Sequence, residues 1–200
     1  RNKDLTQTDL SGVDLSGKDL TGANLSGVDL SGKDLSGSIL TKANLSGADL
    51  SGVDLSGKDL TRANLSGVDL SGKDLSGTTL VHANLSGTNL SGVDLRNKDL
   101  TGTNFRGVDL SDKDLSGTTL IHANFSGTNL RGVDLSGKDL RGTTLVRANH
   151  LGTDLSIANL TGVNLTKVDK SKGEWSLLVI PDTQHYVDKN TQHKAPLSNM

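Results

Sequence analysis

The pentapeptide Ala23-Asn24-Leu25-Ser26-Gly27 recurs along most of the chain with small changes, for example as Val53-Asp54-Leu55-Ser56-Gly57. Leucine occupies every fifth position from Leu5 to Leu165, and the exceptions are Phe105, Phe125 and His150. Neither an α-helix, with about 3.6 residues per turn, nor a β-strand, with an alternation of about two, produces this spacing. A short period sustained over such a length is typical of a solenoid, in which each unit is buried only by its neighbours.

Alternation across a short strand points the central residue of each unit and the residue two places before it to the same side. Both positions are apolar or small, so we expect them to form the core, while Asp, Asn, Ser and Thr face outward and Gly turns the chain. Residues twenty apart form uniform columns, so the sequence predicts four pentapeptides per coil, a square cross-section and about eight coils, on the order of 40 Å long. The predicted core columns include Leu25, Leu45, Leu65, Leu85, Phe105, Phe125, Ala23, Ala43, Ala63 and Ala83.

This pattern resembles the pentapeptide-repeat family, whose members fold as right-handed quadrilateral β-helices. The resemblance implies an all-β solenoid over residues 1–169, with a central position that also accepts Phe. His150 departs from the family pattern, and we expect a local distortion around it. The period stops at Lys170, so residues 170–200 form a separate, non-repetitive tail.

Lysine interrupts the inward positions with a longer period of 40 residues, or two coils. The positions are Lys18, Lys33, Lys58, Lys73, Lys98, Lys113 and Lys138. A bare ammonium is costly inside a protein, so one interpretation is that each stem bends outward and its ammonium finds a nearby carboxylate. The other is that a buried row, with Lys33, Lys73 and Lys113 as members, binds an anion or sets the register of the coils.

The charge balance excludes several classes of function. The net charge is −2, so the sequence predicts no nucleic-acid-binding surface. Some pentapeptide-repeat proteins are polyanionic rods that imitate DNA and occupy a topoisomerase, and the near-neutral balance argues against that role, which stays the alternative function. The column from Asp14 to Asp154 is expected to accept backbone hydrogen bonds rather than to bind cations. His82 and His122 lie two coils apart in one outward column with Lys42 and Arg62, too far apart to share a metal.

The tail carries a different motif. Leu177 to Ile180 is an apolar run of the kind found in buried strands, and Asp182 follows it directly. Residues 175–186, with Pro-Asp-Thr-Gln at 181–184, resemble the first strand and metal motif of calcineurin-like metallophosphoesterases. The resemblance implies that Asp182 is the first ligand of a divalent metal pair, whose other ligands would lie beyond Met200. The alternative is that the tail caps the open end of the rod.

Together these features predict a non-enzymatic scaffold or interaction module, attached to the N-terminal side of a metal-dependent phosphoesterase. No nucleophile–base pattern occurs in the repeats, so we expect neither a catalytic site nor a cofactor in this chain itself. The chain starts at Arg1 inside a repeat unit, which suggests a fragment. No apolar run reaches the length of a membrane span. We expect a soluble, bacterial-type intracellular protein with a protein partner, and the apolar end rungs also permit an end-to-end homodimer.

Overall fold

The computed structural model describes residues 3–6 and 8–165. In this part of the chain the pentapeptides form short straight sides separated by two-residue turns, and no helix occurs. The sides pair through parallel β-bridges, each a single residue on either partner, and every bridge joins residues twenty apart, as in Asn24 with Asn44. Four pentapeptides therefore complete one coil, which is what the column pattern predicted.

The sides of successive coils stack into four walls, which we number in chain order by the residue that precedes the central position. In steps of twenty, the first wall runs from Asp4 to Asn164, the second from Asp9 to Asn149, the third from Asp14 to Asp154 and the fourth from Asp19 to Asn159.

Each turn needs a left-handed backbone at its second residue. Glycine supplies this conformation at most corners, for example Gly27 with φ of 66°, because it has no Cβ to clash. Ile157 adopts it as well, with φ of 50°, although a β-branched side chain disfavours this region. The stacking of the coils thus imposes the turn even against the local preference of a residue. The other non-glycine corners are Lys42, Arg62, His82, Asn97, Asp112, His122 and Arg147.

The interior is filled by stacked columns of leucine and alanine with two phenylalanines. The rings of Phe105 and Phe125 stack with centroids 5.5 Å apart and planes within 5°. Full burial of each leucine or phenylalanine stabilises the rod by roughly 1.5–3 kcal/mol relative to exposure. These predicted core residues expose none of their surface: Ala23, Leu25, Ala43, Leu45, Ala63, Leu65, Ala83, Leu85, Phe105 and Phe125.

Pairing between coils differs strongly from wall to wall. The first wall has eight bridges and is continuous from Asp4 to Asn164. Among the described residues the second and fourth walls have four bridges each, and the third has only Asp134 with Asp154. The coils are therefore bridged at every step along the first wall, whereas along the opposite wall they are joined mainly by corner hydrogen bonds, such as the Gly57 N–H to the Ser76 carbonyl at 2.8 Å.

The distortion expected at His150 is not seen in the backbone pairing. Asn149 keeps its bridge to Asn129, and the N–H of Leu130 donates to the Asn149 carbonyl at 2.7 Å. The imidazole is instead exposed, and its Nδ1 lies 3.2 Å from the Ala148 carbonyl oxygen. The whole tail motif, including Asp182, lies outside the described residues.

Candidate functional site

The first wall carries a ladder of asparagine side chains. The Nδ2 of Asn44 donates to Oδ1 of Asn24 at 2.9 Å, and Asn64, Asn84 and Asn104 repeat this contact, each with the asparagine twenty residues earlier. Each Oδ1 also accepts a backbone N–H two residues later, as from Ser66 to Asn64 at 3.2 Å. Side-chain amides stacked at rung spacing reinforce the backbone bridges, as they do in other stacked β-structures.

The aspartates of the third wall are satisfied locally, as their column suggested. Oδ1 of Asp14 accepts the N–H of Ser16 at 2.8 Å, and Oδ1 of Asp74 accepts that of Ser76 at 2.7 Å. Hydrogen bonds of this kind favour the charged form. The Ser16 hydroxyl and N–H accordingly lower the pKa of Asp14. The second carboxylate oxygen of Asp74 also accepts the Ser76 hydroxyl, at 3.1 Å.

Arginine side chains form ion pairs with aspartates of the third and fourth walls. Arg96 lies 2.8 Å from Asp94, and its hydrogen bonds lower the pKa of Asp94 to about 2. Arg141 pairs with Asp139 at 2.7 Å. Both pairs are more than a third exposed, so their contribution to stability is small.

Positive and negative side chains concentrate on different sides of the rod, although the net charge of the whole chain is only −2. The second and third walls and the corner between them hold 14 of the 19 aspartates in the described residues, against only four cations. Those cations are Lys33, Lys73, Lys113 and Arg131. The described residues have 15 lysines and arginines in all, so the rest of the surface is net positive. We call the second and third walls the acidic side.

The ammonium groups of Lys73, Lys98, Lys113 and Lys138 lie against the backbone of the preceding coil, whereas Lys18 is exposed. The ammonium of Lys73 donates to the carbonyl of Val53 at 3.0 Å, and that of Lys113 to Val93 at 3.0 Å. The ammonium of Lys98 donates to the Leu75 carbonyl at 2.5 Å. Their bonds thus go to backbone carbonyls and not to the carboxylates that the sequence suggested. Burial lowers the pKa of Lys98 and Lys113 from its usual value.

Two open grooves accompany these lysines on the third and fourth walls. The larger, of about 610 Å³, is lined by Asp74, Asp94, Asp99, Arg96 and Lys98 among others. A smaller one of about 200 Å³ lies forty residues further on, beside Asp114, Asp134 and Lys138. Their mixed charges and open shape differ from the enclosed, mostly apolar pockets that bind small molecules.

The corner between the fourth and first walls is mildly basic. It carries Lys42, Arg62, His82 and His122, all exposed. The His82 ring lies over Gly102 of the next coil, and the His122 ring lies over Gly142, where in each case a Cβ would overlap it. The described residues contain no group of three or more His, Cys, Asp or Glu side chains that could hold a metal.

Sequence reasoning missed the role of the inward threonines. Thr103 replaces alanine in the first wall's inner column, and its hydroxyl donates to the Leu80 carbonyl at 2.8 Å. Thr128 does the same toward Phe105 at 2.7 Å. The signal was present in the sequence, because a hydroxyl in an inward slot must find an acceptor when it is buried.

Among the predicted structural residues, the structure buries the leucines, alanines and phenylalanines together and leaves Lys33, Lys73 and Lys113 half-buried on the third wall. No helix that is long and apolar enough to cross a membrane occurs in the described residues.

Comparison with known proteins gives a consistent family assignment. The model of pentapeptide repeats matches in eight copies, over residues 1–27, 19–57, 59–97, 99–137 and 139–169. No curated protein matches the chain.

Several solved pentapeptide-repeat structures are similar to this chain. HetL from the cyanobacterium Nostoc sp. strain PCC 7120, which is involved in heterocyst differentiation regulation, is 28% identical, with 77% of this chain and 90% of HetL covered and a TM-score of 0.33. Rfr23 from the cyanobacterium Cyanothece 51142 is 28% identical, with 78% and 96% covered and a TM-score of 0.24. QnrB1, a plasmid-mediated fluoroquinolone resistance protein, is 22% identical, with 76% and 86% covered and a TM-score of 0.34.

The repeat match spans almost all of residues 1–169, and the four-sided stacking of those residues agrees with it. The prediction of an all-β, right-handed quadrilateral β-helix is therefore confirmed, and the chain belongs to the pentapeptide-repeat family.

Proposed function

We propose that the rod is a non-enzymatic scaffold that holds a partner protein at a fixed distance from whatever follows it in the chain. The observation that carries this proposal is the unbroken first wall, with eight backbone bridges and its asparagine ladder. A wall tied at every coil cannot stretch without breaking several hydrogen bonds, so the separation of its ends is fixed. The acidic side then presents carboxylates at rung spacing, about 4.8 Å, to a partner.

Distance measurement between two spin labels tests the scaffold directly. The chain has no cysteine, so Ser26→Cys with Ser126→Cys places labels in one column at the edge of the first wall, five coils and about 24 Å apart. A single narrow distance distribution is expected. A broad distribution, or one that changes with temperature well below unfolding, would exclude a rigid spacer.

The finer part of the proposal is that this scaffold precedes a metal-dependent phosphoesterase. Its support is the sequence alone: the apolar run 177–180, followed by Asp182 in Pro-Asp-Thr-Gln. A two-metal site needs carboxylate and histidine ligands from several loops to hold both ions and the attacking hydroxide. Asp182 would supply one of them, so the activity belongs to a longer product that contains this chain.

Manganese-dependent hydrolysis of a generic phosphodiester tests this linkage. We expect activity in the longer gene product, its loss in Asp182→Ala and its retention in the control Asp188→Ala. The 200-residue chain alone is expected to be inactive. A longer product without activity in any divalent metal would refute the phosphoesterase and leave the scaffold proposal standing.

A second candidate function is mimicry of DNA by the acidic side, with a topoisomerase as the partner. The observation that favours it is the concentration of 14 aspartates on two adjacent walls and their shared corner. Inhibition of supercoiling by a purified bacterial topoisomerase is the test. It should weaken when Asp54, Asp74 and Asp94 become Asn, and it should survive the same change at Asp19, Asp59 and Asp99 on the fourth wall. No inhibition by the unmodified chain would eliminate this candidate.

A further inference from the structure

The gaps in the fourth wall coincide with lysines. We use the term open seam for a place where two stacked coils lack a bridge on a given wall. In the described residues the fourth wall has open seams between positions 39 and 59, 79 and 99, and 119 and 139. Lys58, Lys98 and Lys138 stand immediately before the later residue of each seam. Where the same wall is bridged, as between Asp59 and Thr79, the residue immediately before the later bridge partner is not lysine. These residues are Ser38, Thr78, Thr118 and Ala158.

The second wall follows the same rule with the other three lysines. Its open seams in the described part lie between positions 9 and 29, 49 and 69, and 89 and 109. A lysine of the third wall lies four residues after the later member of each seam. These lysines are Lys33, Lys73 and Lys113. Six lysines therefore match six open seams, which alternate between the two walls that flank the third.

Three of the six ammonium groups, those of Lys73, Lys113 and Lys138, occupy hydrogen-bonding positions that missing bridges leave vacant. In the closed first wall the N–H of Asn64 donates to the Ala43 carbonyl at 2.9 Å. The equivalent acceptor on the third wall is the Val53 carbonyl, and there the Lys73 ammonium donates at 3.0 Å instead of the Asp74 N–H. Lys138 lies 3.5 Å from the Thr118 carbonyl in the same relation. A backbone carbonyl withdrawn from water needs such a donor.

The last coil provides an internal control. At its junction with the preceding coil, Thr153 and Ala158 occupy the two columns that hold lysine elsewhere. All four walls are bridged at this junction: Thr144 with Asn164, Asn129 with Asn149, Asp134 with Asp154 and Asp139 with Asn159. The single bridge of the third wall thus occurs where lysine is missing.

We infer that the six lysines are props that hold the coils apart along the third wall, so that the rod flexes about its continuous first wall. The aliphatic stem fills the space between two coils, and in Lys73, Lys113 and Lys138 the ammonium also bonds to a carbonyl that lacks its bridge donor. Alternating the open seams between the second and fourth walls leaves every coil bridged on the first wall and one neighbouring wall. The third wall, which is part of the acidic side, is therefore the compliant edge of the rod. A partner that binds there can change the spacing between its carboxylates. This inference concerns the rod itself and stands whether or not the proposed partner functions are correct.

Removing one prop should close its seam. In Lys73→Thr, which copies Thr153, the amides of Leu50 and Asp69 are expected to gain at least about tenfold protection from hydrogen exchange, because an amide in a bridge exchanges only when the bridge opens. The amides of Leu45 and Asn64, already paired in the first wall, report whether the fold is intact. The matched control Lys42→Asn, at a corner whose left-handed backbone asparagine tolerates, should leave all four unchanged. Unchanged exchange at Leu50 and Asp69 in a folded Lys73→Thr would overturn the inference.

Adding a prop should open a closed seam, and this variant decides the case if Lys73→Thr fails to fold. In Ala158→Lys the amides of Leu135 and Leu140, which now donate to the carbonyls of Asp154 and Asn159 at 2.8 and 3.0 Å, should lose protection. The amide of Leu145, which donates to Asn164 in the first wall, should keep it. Retained protection at Leu135 and Leu140 would contradict the role of lysine as a prop.

Compliance itself is measured by comparing opposite walls. Spin labels at Ser36→Cys and Ser136→Cys on the third wall should give a broader distance distribution than labels at Ser26→Cys and Ser126→Cys on the first, although both pairs span five coils. Replacing Lys58, Lys73, Lys98 and Lys113 by Thr should narrow the first of these distributions. Equal widths in the unmodified rod would show that the open seams do not make the third wall compliant.

Discussion

At the scale of single residues, the inward slot beside the central leucine decides how each coil is held. Alanine fills this slot and needs no hydrogen-bond partner. Threonine adds a hydroxyl that must donate to a carbonyl, and lysine separates two coils. One threonine breaks this rule, because the buried hydroxyl of Thr143 has no hydrogen-bond partner among the protein groups of the described residues. An unsatisfied buried hydroxyl costs about 1–3 kcal/mol.

We expect Thr143→Ala to be neutral or stabilising, because it removes this unpaired hydroxyl and restores the residue found at Ala123, one coil earlier. The matched control is Thr103→Ala, which deletes a buried hydroxyl that is bonded to Leu80. That variant should lose about 1 kcal/mol. Chemical denaturation of both variants makes the comparison, and an equal loss of stability in the two would contradict the assignment.

A second prediction concerns the pKa of Asp59. Hydrogen bonds from the hydroxyls of Thr61 and Thr79 and from the Thr61 N–H lower it from 3.8 to about 2. A carboxyl whose pKa is lowered by folding stabilises the protein above its unfolded pKa, and this contribution is lost as the pH falls from about 4 to about 2. NMR titration of the Asp59 carboxyl should show a midpoint near 2, moving toward 3.8 in Thr79→Val. A midpoint unaffected by that change would rule out the hydroxyl as a cause.

At the scale of the walls, the stacked side chains of the first wall act as a continuous element. Asn64 donates to Asn44, accepts from Asn84 and accepts the N–H of Ser66. Asn89, in the second wall, accepts the Ser91 N–H and hydroxyl at 3.0 and 2.8 Å. The same residue type is therefore half-buried within a ladder in one wall and exposed in another.

Asn64→Ala should accordingly cost more than Asn89→Ala. The first variant removes hydrogen bonds to two neighbouring coils and leaves the amides of Asn44 and Asn84 each short of a partner, for a loss of about 2–3 kcal/mol at about 1 kcal/mol per bond. The second should lose about 1 kcal/mol or less, since its groups can bond to water. Urea denaturation of both variants measures the difference, and equal losses would show that the ladder adds nothing beyond local turns.

At the scale of the whole molecule, the structural repeat is two coils and not one. The third wall's inward column alternates Lys33, Val53, Lys73, Val93 and Lys113. The props therefore lie two coils apart in any one column, which places their ammonium groups roughly 10 Å from one another instead of at the spacing of adjacent coils. Deletions that keep or break this alternation separate the role of the longer period from that of the pentapeptide.

Deletion of residues 41–80 removes two coils and places Val93 directly above Lys33. Lysine and valine then still alternate in this column, as they do in the intact rod, where Val53 lies above Lys33. Deletion of residues 41–60 removes one coil and stacks Lys33 directly beneath Lys73, about 4.8 Å away. We expect the shorter deletion to lower the melting temperature more, although it removes half as much core, because two like charges then occupy adjacent coils of one inward column. Thermal unfolding followed by circular dichroism tests this ranking. A more stable rod after the shorter deletion would mean that alternation is unimportant.

The sequence alone determined the solenoid, the four-sided coil and the core columns, because a strict period of five with Leu25 and its equivalents at the centre leaves no other way to bury the apolar residues. It also indicated that the third-wall aspartates bond locally, since an Asp followed two residues later by a turn N–H can close such a bond within one unit. What it could not decide is anything that depends on the gap between coils. The lysine partners and the open seams depend on contacts between residues twenty or more apart, such as Lys73 with Val53 and Lys98 with Leu75. Only the stacked structure brings those groups together, so only the structure shows that one wall is continuous and the opposite one is propped open.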